Sequence, residues 1–303
     1  MLKKPSLAKC SDRTKFAKVH PTAGEPKNWL NETFLKPHNL LSLSFDFFVN
    51  WNQLTIGSEI WIKRIVRDDY YPWPTTDIKK IIGWINKVDT EKIVNSLTRF
   101  CRAYEIDCHY LLFKESTDWP TDSKNVVDID ITSTSPEVSL WNVSGIRHRI
   151  RTLRSTTVPI GPGGLIYGTS SLECFLSHTP DFWPGDVDSV LVDSNSAVHG
   201  ILEYKKHTLS SPIESQTLLN YRDRDKLKYQ SLGLLRDRFS ENNVLPILMI
   251  YYPTQQYITN VKIEKLAGRY DQLTVSAQRI LPLPNLASSA SCQKFTNTIV
   301  DML

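Results

Sequence analysis

The stretch GDVDSVLVDSNSAVHGILEYKKHT, residues 185 to 208, narrows the folds open to this chain more than any other. Two runs of alternating apolar residues flank the polar DSNS, so the chain reverses between two strands, 187 to 192 and 198 to 205. Side chains alternate along a strand. Asp186, Asp188, Val190 and Val192 therefore share one face, as do His199, Ile201, Glu203 and Lys205. Asp188 and Glu203 are fifteen residues apart, so antiparallel pairing sets the start of the first strand beside the end of the second. Asp188, Glu203 and Lys205 converge there.

The flanking segments SVLVD and VHGILEY are apolar on both faces, which marks a central strand pair rather than an exposed ribbon. On an exposed ribbon these charges would be a cross-strand ion pair worth about 0 to 1 kcal/mol. In a partly buried place the carboxylates repel one another, and leaving one desolvated and unpaired costs on the order of several kcal/mol. One lysine does not offset them all. A divalent cation does, and an open, oxygen-rich site suits Mg²⁺.

Around the hairpin the expected order is a short helix over 169 to 177 that carries Glu173, the two strands, and a long helix over 219 to 240. Strands at 244 to 252 and 257 to 266 follow. On the long helix Leu227, Leu234, Leu235 and Phe239 are assigned to the core side, and Arg222, Arg224, Lys226, Lys228, Arg236 and Arg238 to its charges. The first half reads as a smaller α/β unit. Strands occupy 40 to 67 with turns near Asn50 and Gly57, and helices cover 76 to 87 and a stretch from Thr90. Strands recur at 106 to 113 and 126 to 132.

The Ser/Thr-rich TSTSPE ending at Glu137 and the glycines of IGPGG are the linker candidates. They suggest an N-terminal domain over 1 to 145 and a second over 146 to 303. No internal repeat is evident, and the lysine-rich first 27 residues read as a loosely packed arm.

Composition excludes little. The 303 residues are 41% apolar and 22% charged with a formal charge of +4, which permits a polyanionic partner without requiring one. No apolar run reaches membrane-spanning length, and the basic N-terminus lacks the apolar region of a secretory signal, so a cytoplasmic protein is expected. The five cysteines are scattered, without paired metal-site spacings, and read as reduced structural thiols.

Three further motifs have competing readings. Gly163 and Gly168 in GGLIYGTS have P-loop separation, but Thr169 stands where the motif needs Lys. Asp128 and Asp130 in VVDIDIT share a strand face and read as its exposed side. IRHRIRTLR places Arg147, Arg149 and Arg151 on a strand face, or Arg147, Arg151 and Arg154 on a helix face. Phosphate contact by these arginines is one reading and a solvated basic face the other.

Asp188 followed by Glu203-Tyr204-Lys205 resembles the D…ExK signature of the PD-(D/E)XK nuclease superfamily, over approximately residues 165 to 266. The resemblance implies a restriction-endonuclease-like αβββαβ core with a central mixed sheet, beside the N-terminal α/β domain. It also implies a Mg²⁺-dependent deoxyribonuclease, with Mn²⁺ able to substitute. Asp188, Glu203 and the main-chain carbonyl of Tyr204 would hold the metal, Glu173 would supply the upstream helical acid, and Lys205 would serve the attacking water and the phosphate. Asp186 is the fallback for Asp188, and Gln230 and Lys228 are possible site residues. The Gln-x-x-x-Tyr pattern of the recombination-exonuclease branch is absent, since Leu234 follows Gln230 by four.

His207 reads as a surface histidine at a strand end. DNA is the implied partner, with a homodimer or a partner protein possible and residues 1 to 145 helping to choose the substrate. A catalytically silent DNA-binding or assembly module on the same fold, and cleavage of RNA, are the alternatives.

Overall fold

The alternating run folds as a hairpin in the computed structural model, which describes all residues except 1, 17–22, 68–71, 117, 120–121, 157–163, 222–224 and 241–243. Gly163, most of IGPGG, and the expected helix positions Arg222 and Arg224 lie outside the described residues. In chain order the elements are strands β1 (Leu2–Lys3), β2 (Ala8–Lys9) and β3 (Asp12–Phe16), helices α1 (Pro26–Trp29) and α2 (Glu32–Leu35), and strands β4 (Leu40–Asn50) and β5 (Thr55–Val66). Then come α3 (Ile78–Asp89), α4 (Glu91–Ala103), β6 (Asp107–Phe113), β7 (Val126–Asp130), β8 (Val138–Trp141), α5 (Val143–Arg154), β9 (Tyr167–Gly168) and α6 (Ser171–Leu176). The hairpin strands are β10 (Gly185–Asp193) and β11 (Val198–His207), followed by α7 (Lys226–Phe239), β12 (Ile247–Pro253), β13 (Asn260–Ala267), β14 (Thr274–Pro282) and α8 (Ser289–Met302).

The compact units do not follow the expected division at 145. One unit comprises Met1–Ala17 and Phe45–Gly185, and the other Lys18–Ser44 and Asp186–Leu303. The physical reason is packing: Val143, Ile146 and Ile150 of α5 are buried in the same core cluster as Phe48, Trp61 and Ile65. The expected linker after Ile131 is instead a short turn leading into β8, in which the Ser133 hydroxyl donates to the Ser135 carbonyl.

In the first unit β4 and β5 form an antiparallel hairpin, β6 runs parallel to β5, and β7 and β8 continue antiparallel. Gly57 lies inside β5 rather than in a turn. The N-terminal segment is tied down rather than loose. Leu2 pairs with Val66, Ala8 pairs with Gly168, and Cys10 is disulfide-bonded to Cys174. The reading of all five cysteines as reduced thiols is therefore corrected for that pair, whereas Cys101, Cys108 and Cys292 are free and buried.

In the second unit β10 and β11 are antiparallel, β12 runs parallel to β11, and β13 and β14 complete the mixed sheet. Only two strands precede α7 in this unit's second segment, so the αβββαβ order is not met there, and β14 and α8 extend the chain beyond the expected core. Its core draws on residues far apart in sequence. Trp29, Leu30, Leu35 and Leu40 pack with Leu202, Leu248, Ile250, Phe295 and Ile299.

Helix α7 departs from its expected amphipathicity. Leu227 is 46% exposed, while Arg236 is fully buried and pairs with Asp237. Gly233 sits mid-helix because a Cβ there would lie 2.5 Å from Tyr270 Cα, a backbone atom that cannot yield cheaply. Gly233→Ala is therefore expected to destabilise the unit by about 1 to 3 kcal/mol through overpacking, despite the helix propensity it adds. A denaturant midpoint unchanged or raised in the variant would contradict the close contact.

Candidate functional site

The strand register delivers the convergence read from the alternation. Ser189 faces Leu202 and Val190 faces Ile201, so continuing the register by one residue sets Asp188 opposite Glu203. The Tyr204 amide donates to Asp188 Oδ2 at 2.6 Å, which fixes that carboxylate at the strand end. Glu203 is almost fully buried. Its Oε1 accepts from two ammonium groups, Lys205 at 3.2 Å and Lys228 at 3.1 Å, yet its buried Oε2 has no hydrogen-bond partner.

Lys205 is itself held from several sides. Its Nζ lies 3.4 Å from Asp225 and over the rings of Tyr229 and Tyr221, at 5.4 and 5.8 Å. Lys228 reaches from α7 to Asp186 at 3.0 Å, which leaves Asp186 as the lysine's partner at the exposed rim rather than a second core acid. Gln230, two residues along, is half-buried. Burial, and after it the negative charge of Glu203, pushes the Asp188 carboxyl well above its ordinary value, against the pull of Lys228. Burial alone would lower the Lys228 ammonium, but Asp186, Glu203 and Asp188 together hold it well above the usual range. The cluster is thus under electrostatic tension between two close carboxylates.

Glu173 is not brought to this cluster. It belongs to the other compact unit, where its Oε2 accepts from the Thr169 amide at 2.8 Å and lies 3.4 Å from Lys63 Nζ. The Ser170 hydroxyl caps α6 by accepting from the Glu173 amide, and this turns the side chain back on its own N-terminal loop. His207 is buried, not on the surface. Its Nε2 lies 2.7 Å from the Ser211 carbonyl oxygen, so it braces the end of β11.

The arginine cluster forms helix α5 rather than a strand, and Arg147, Arg149 and Arg151 pair with carboxylates within the first unit. Arg147 and Arg151 both bond the buried Asp181, at 2.8 and 2.6 Å. Arg149 bonds Glu59, and Arg154 is buried against the Trp183 carbonyl and over the Phe182 ring. Burial lowers the Arg154 guanidinium to about 10. Asp128, expected on an exposed face, is buried between His109 at 2.9 Å and the Trp141 indole at 3.1 Å.

The hydrogen bond from Arg151, and with it that from Arg147, holds the Asp181 carboxyl below its ordinary value of 3.8. A depressed folded value means the stabilisation is present above 3.8 and is lost as pH falls through the folded value. Asp181→Asn is expected to lower stability near neutrality by about 1 to 3 kcal/mol, because two arginines lose a buried acceptor. The gap between wild type and variant should close below pH 3.8 in a thermal-unfolding series. A gap independent of pH would show that the carboxylate charge contributes nothing.

Sequence reasoning missed Asp225, which stands at the N-cap of α7, and it placed Lys228 only as a possible contributor. No local signal marks Asp225. Among the described residues, no group of three or more His, Cys, Asp or Glu side chains is arranged to hold a metal, and no helix is long and apolar enough to cross a membrane.

The sequence matches no protein-family model and no curated protein. Among solved structures, the crystal structure of a sex pheromone staph-cAM373 precursor aligns at 10% identity and a TM-score of 0.18, covering 80% of this chain and 75% of that one. The C-terminal domain of that precursor from Staphylococcus aureus aligns at 8% identity and a TM-score of 0.15, covering 80% and 69%.

Proposed function

We propose that the protein is a Mg²⁺-dependent deoxyribonuclease whose reaction centre lies at the adjoining ends of β10 and β11. The observation that carries this reading is Glu203 Oε2, a buried carboxylate oxygen that no protein donor satisfies. Buried polar atoms are otherwise almost always paired, and an orphaned carboxylate oxygen beside a second carboxylate is what a hard cation takes. Asp188, Glu203 and the Tyr204 carbonyl would hold Mg²⁺ or Mn²⁺. Two carboxylates suffice for Mg²⁺, which keeps several waters and completes its shell from substrate phosphate.

When bound, the metal supplies a Lewis acid and an acidified water. The chain's own residues do the positioning. Lys205 is oriented by Glu203 and Asp225 and confined by two tyrosine rings. From there it stabilises negative charge building on the phosphate, where preformed positive charge is most effective. Lys228 adds a second cation at the rim beside Asp186 and steers the polyanionic backbone toward the carboxylates.

The test is incubation of the full chain with supercoiled, linear, branched and single-stranded DNA, and with RNA, in Mg²⁺, in Mn²⁺ and in chelator. Cation-dependent cleavage of DNA is expected. Cleavage of RNA alone would move the reading to a ribonuclease. No cleavage of any substrate in either cation would favour a silent DNA-binding or assembly module.

A further inference from the structure

The two compact units are built on one connectivity. In each, an antiparallel hairpin is followed by helix, by a strand parallel to the second hairpin strand, and by two more antiparallel strands. The correspondence extends to individual positions. Asp46 faces Trp61 across the β4–β5 hairpin, and they lie fifteen residues apart, the separation of Asp188 and Glu203. Lys63 follows Trp61 by two, as Lys205 follows Glu203. On the next strands, Trp61 pairs with His109 and Lys63 with Leu111, as Glu203 pairs with Met249 and Lys205 with Tyr251. Asp46, Trp61 and Lys63 thus stand where the other copy has Asp188, Glu203 and Lys205.

The first copy has lost the features that would suit it to a cation. Its central carboxylate position is an indole, with Trp61 in edge contact with Phe48 at 4.7 Å and Trp183 at 5.3 Å. Lys63 is shared between Asp46 at 3.3 Å and Glu173 at 3.4 Å, and Asp46 also accepts from the Trp183 indole at 2.7 Å. The nearest other acid on that face, Glu59, accepts from Arg149 through both oxygens and from the Trp61 indole. The cavity bounded by Glu59, Trp61, His109, Asp128, Trp141 and Arg149 measures about 10 Å³, at most one water and too small for a hydrated divalent ion. In the second copy Glu203 Oε2 has no protein donor.

We infer that the chain carries the same core twice and that only the β10–β14 copy is built to hold a divalent cation, the β4–β8 copy being a silent one whose charges are closed on protein donors. The inference rests on the reading of the second copy as a metal centre, and it sets the number of centres at one per chain. A single centre cuts one strand at a time, so double-strand scission would require two chains or two visits.

The test is Mn²⁺ binding to the full chain, with free Mn²⁺ followed by electron paramagnetic resonance. One Mn²⁺ per chain is expected for the wild type and for Asp46→Asn, and none for Glu203→Gln, with Asp188→Asn as substitute should Glu203→Gln fail to fold. Two Mn²⁺ in the wild type, one lost in Asp46→Asn and the other in Glu203→Gln, would overturn the silent copy and leave the metal centre standing. No Mn²⁺ bound by the wild type would instead remove the metal centre itself, and the count of one with it.

Discussion

Glu203→Gln should reduce Mg²⁺-dependent DNA cleavage by at least about a hundred-fold, a loss typical of removing one preorganised electrostatic contact from a reaction centre. Glutamine keeps the shape of the side chain in its buried slot between β10 and α7. What it removes is the charge that Lys205 and Lys228 share at Oε1 and the free oxygen at Oε2. Lys205→Ala should cost a comparable factor and leave Mn²⁺ binding in place, since the lysine acts on the phosphate rather than on the cation. Asp186→Asn should have a smaller effect, because Asp186 is the more exposed acid and bonds Lys228 at the rim. Steady-state cleavage of a labelled duplex separates these outcomes. Wild-type rates in both Glu203→Gln and Lys205→Ala would sink the mechanism.

Trp29→Ala should destabilise the second unit by about 3 to 5 kcal/mol, the range for emptying a buried tryptophan site. Trp29 is fully buried, in edge contact with Phe295 at 5.3 Å and Tyr252 at 6.4 Å, and its indole donates to the Ala23 carbonyl. Tyr252 lies on β12, next to the strand that carries Glu203. The consequence reaches beyond one substitution. A chain beginning at residue 146 lacks Trp29, Leu30, Leu35 and Leu40, which cover Leu248, Ile250 and Phe295 in the native core. Such a chain is expected to show no cooperative urea transition, so it cannot report on whether residues 1 to 145 select the substrate. A cooperative transition of wild-type midpoint in either protein would refute the assignment of residues 18 to 44 to this core.

Part of this architecture is legible in the sequence. The hairpin over 185 to 208 follows from alternation at period two, and α3 and α4 from apolar residues at helical spacing; both are local patterns. The convergence of Asp188, Glu203 and Lys205 follows from the same periodicity once the hairpin pairs. The helical acid is harder to place. Glu173 precedes the hairpin in sequence and sits in the first turn of a helix, which makes it the natural candidate, but the chain folds α6 into the first unit, against Lys63. The repeated core leaves no sequence signal, because Asp46, Trp61 and Lys63 lack the central acid and the flanking residues of Asp188, Glu203 and Lys205. What the two copies share is strand register, which only pairing reveals.

Charge shows the division most clearly. As sequence, IRHRIRTLR is a basic face open to phosphate and VVDIDIT an exposed acidic strand. In the folded chain Arg147 and Arg151 close on Asp181, Arg149 on Glu59, and Asp128 on His109. A single strand or helix cannot show whether a charged side chain meets a partner, since the partner comes from an element distant in sequence. By itself the sequence determined which side chains share a face, because periodicity is a property of the local backbone. The tertiary structure decided that one carboxylate oxygen, Glu203 Oε2, was left without a donor, because burial and pairing depend on what the rest of the chain brings to that face.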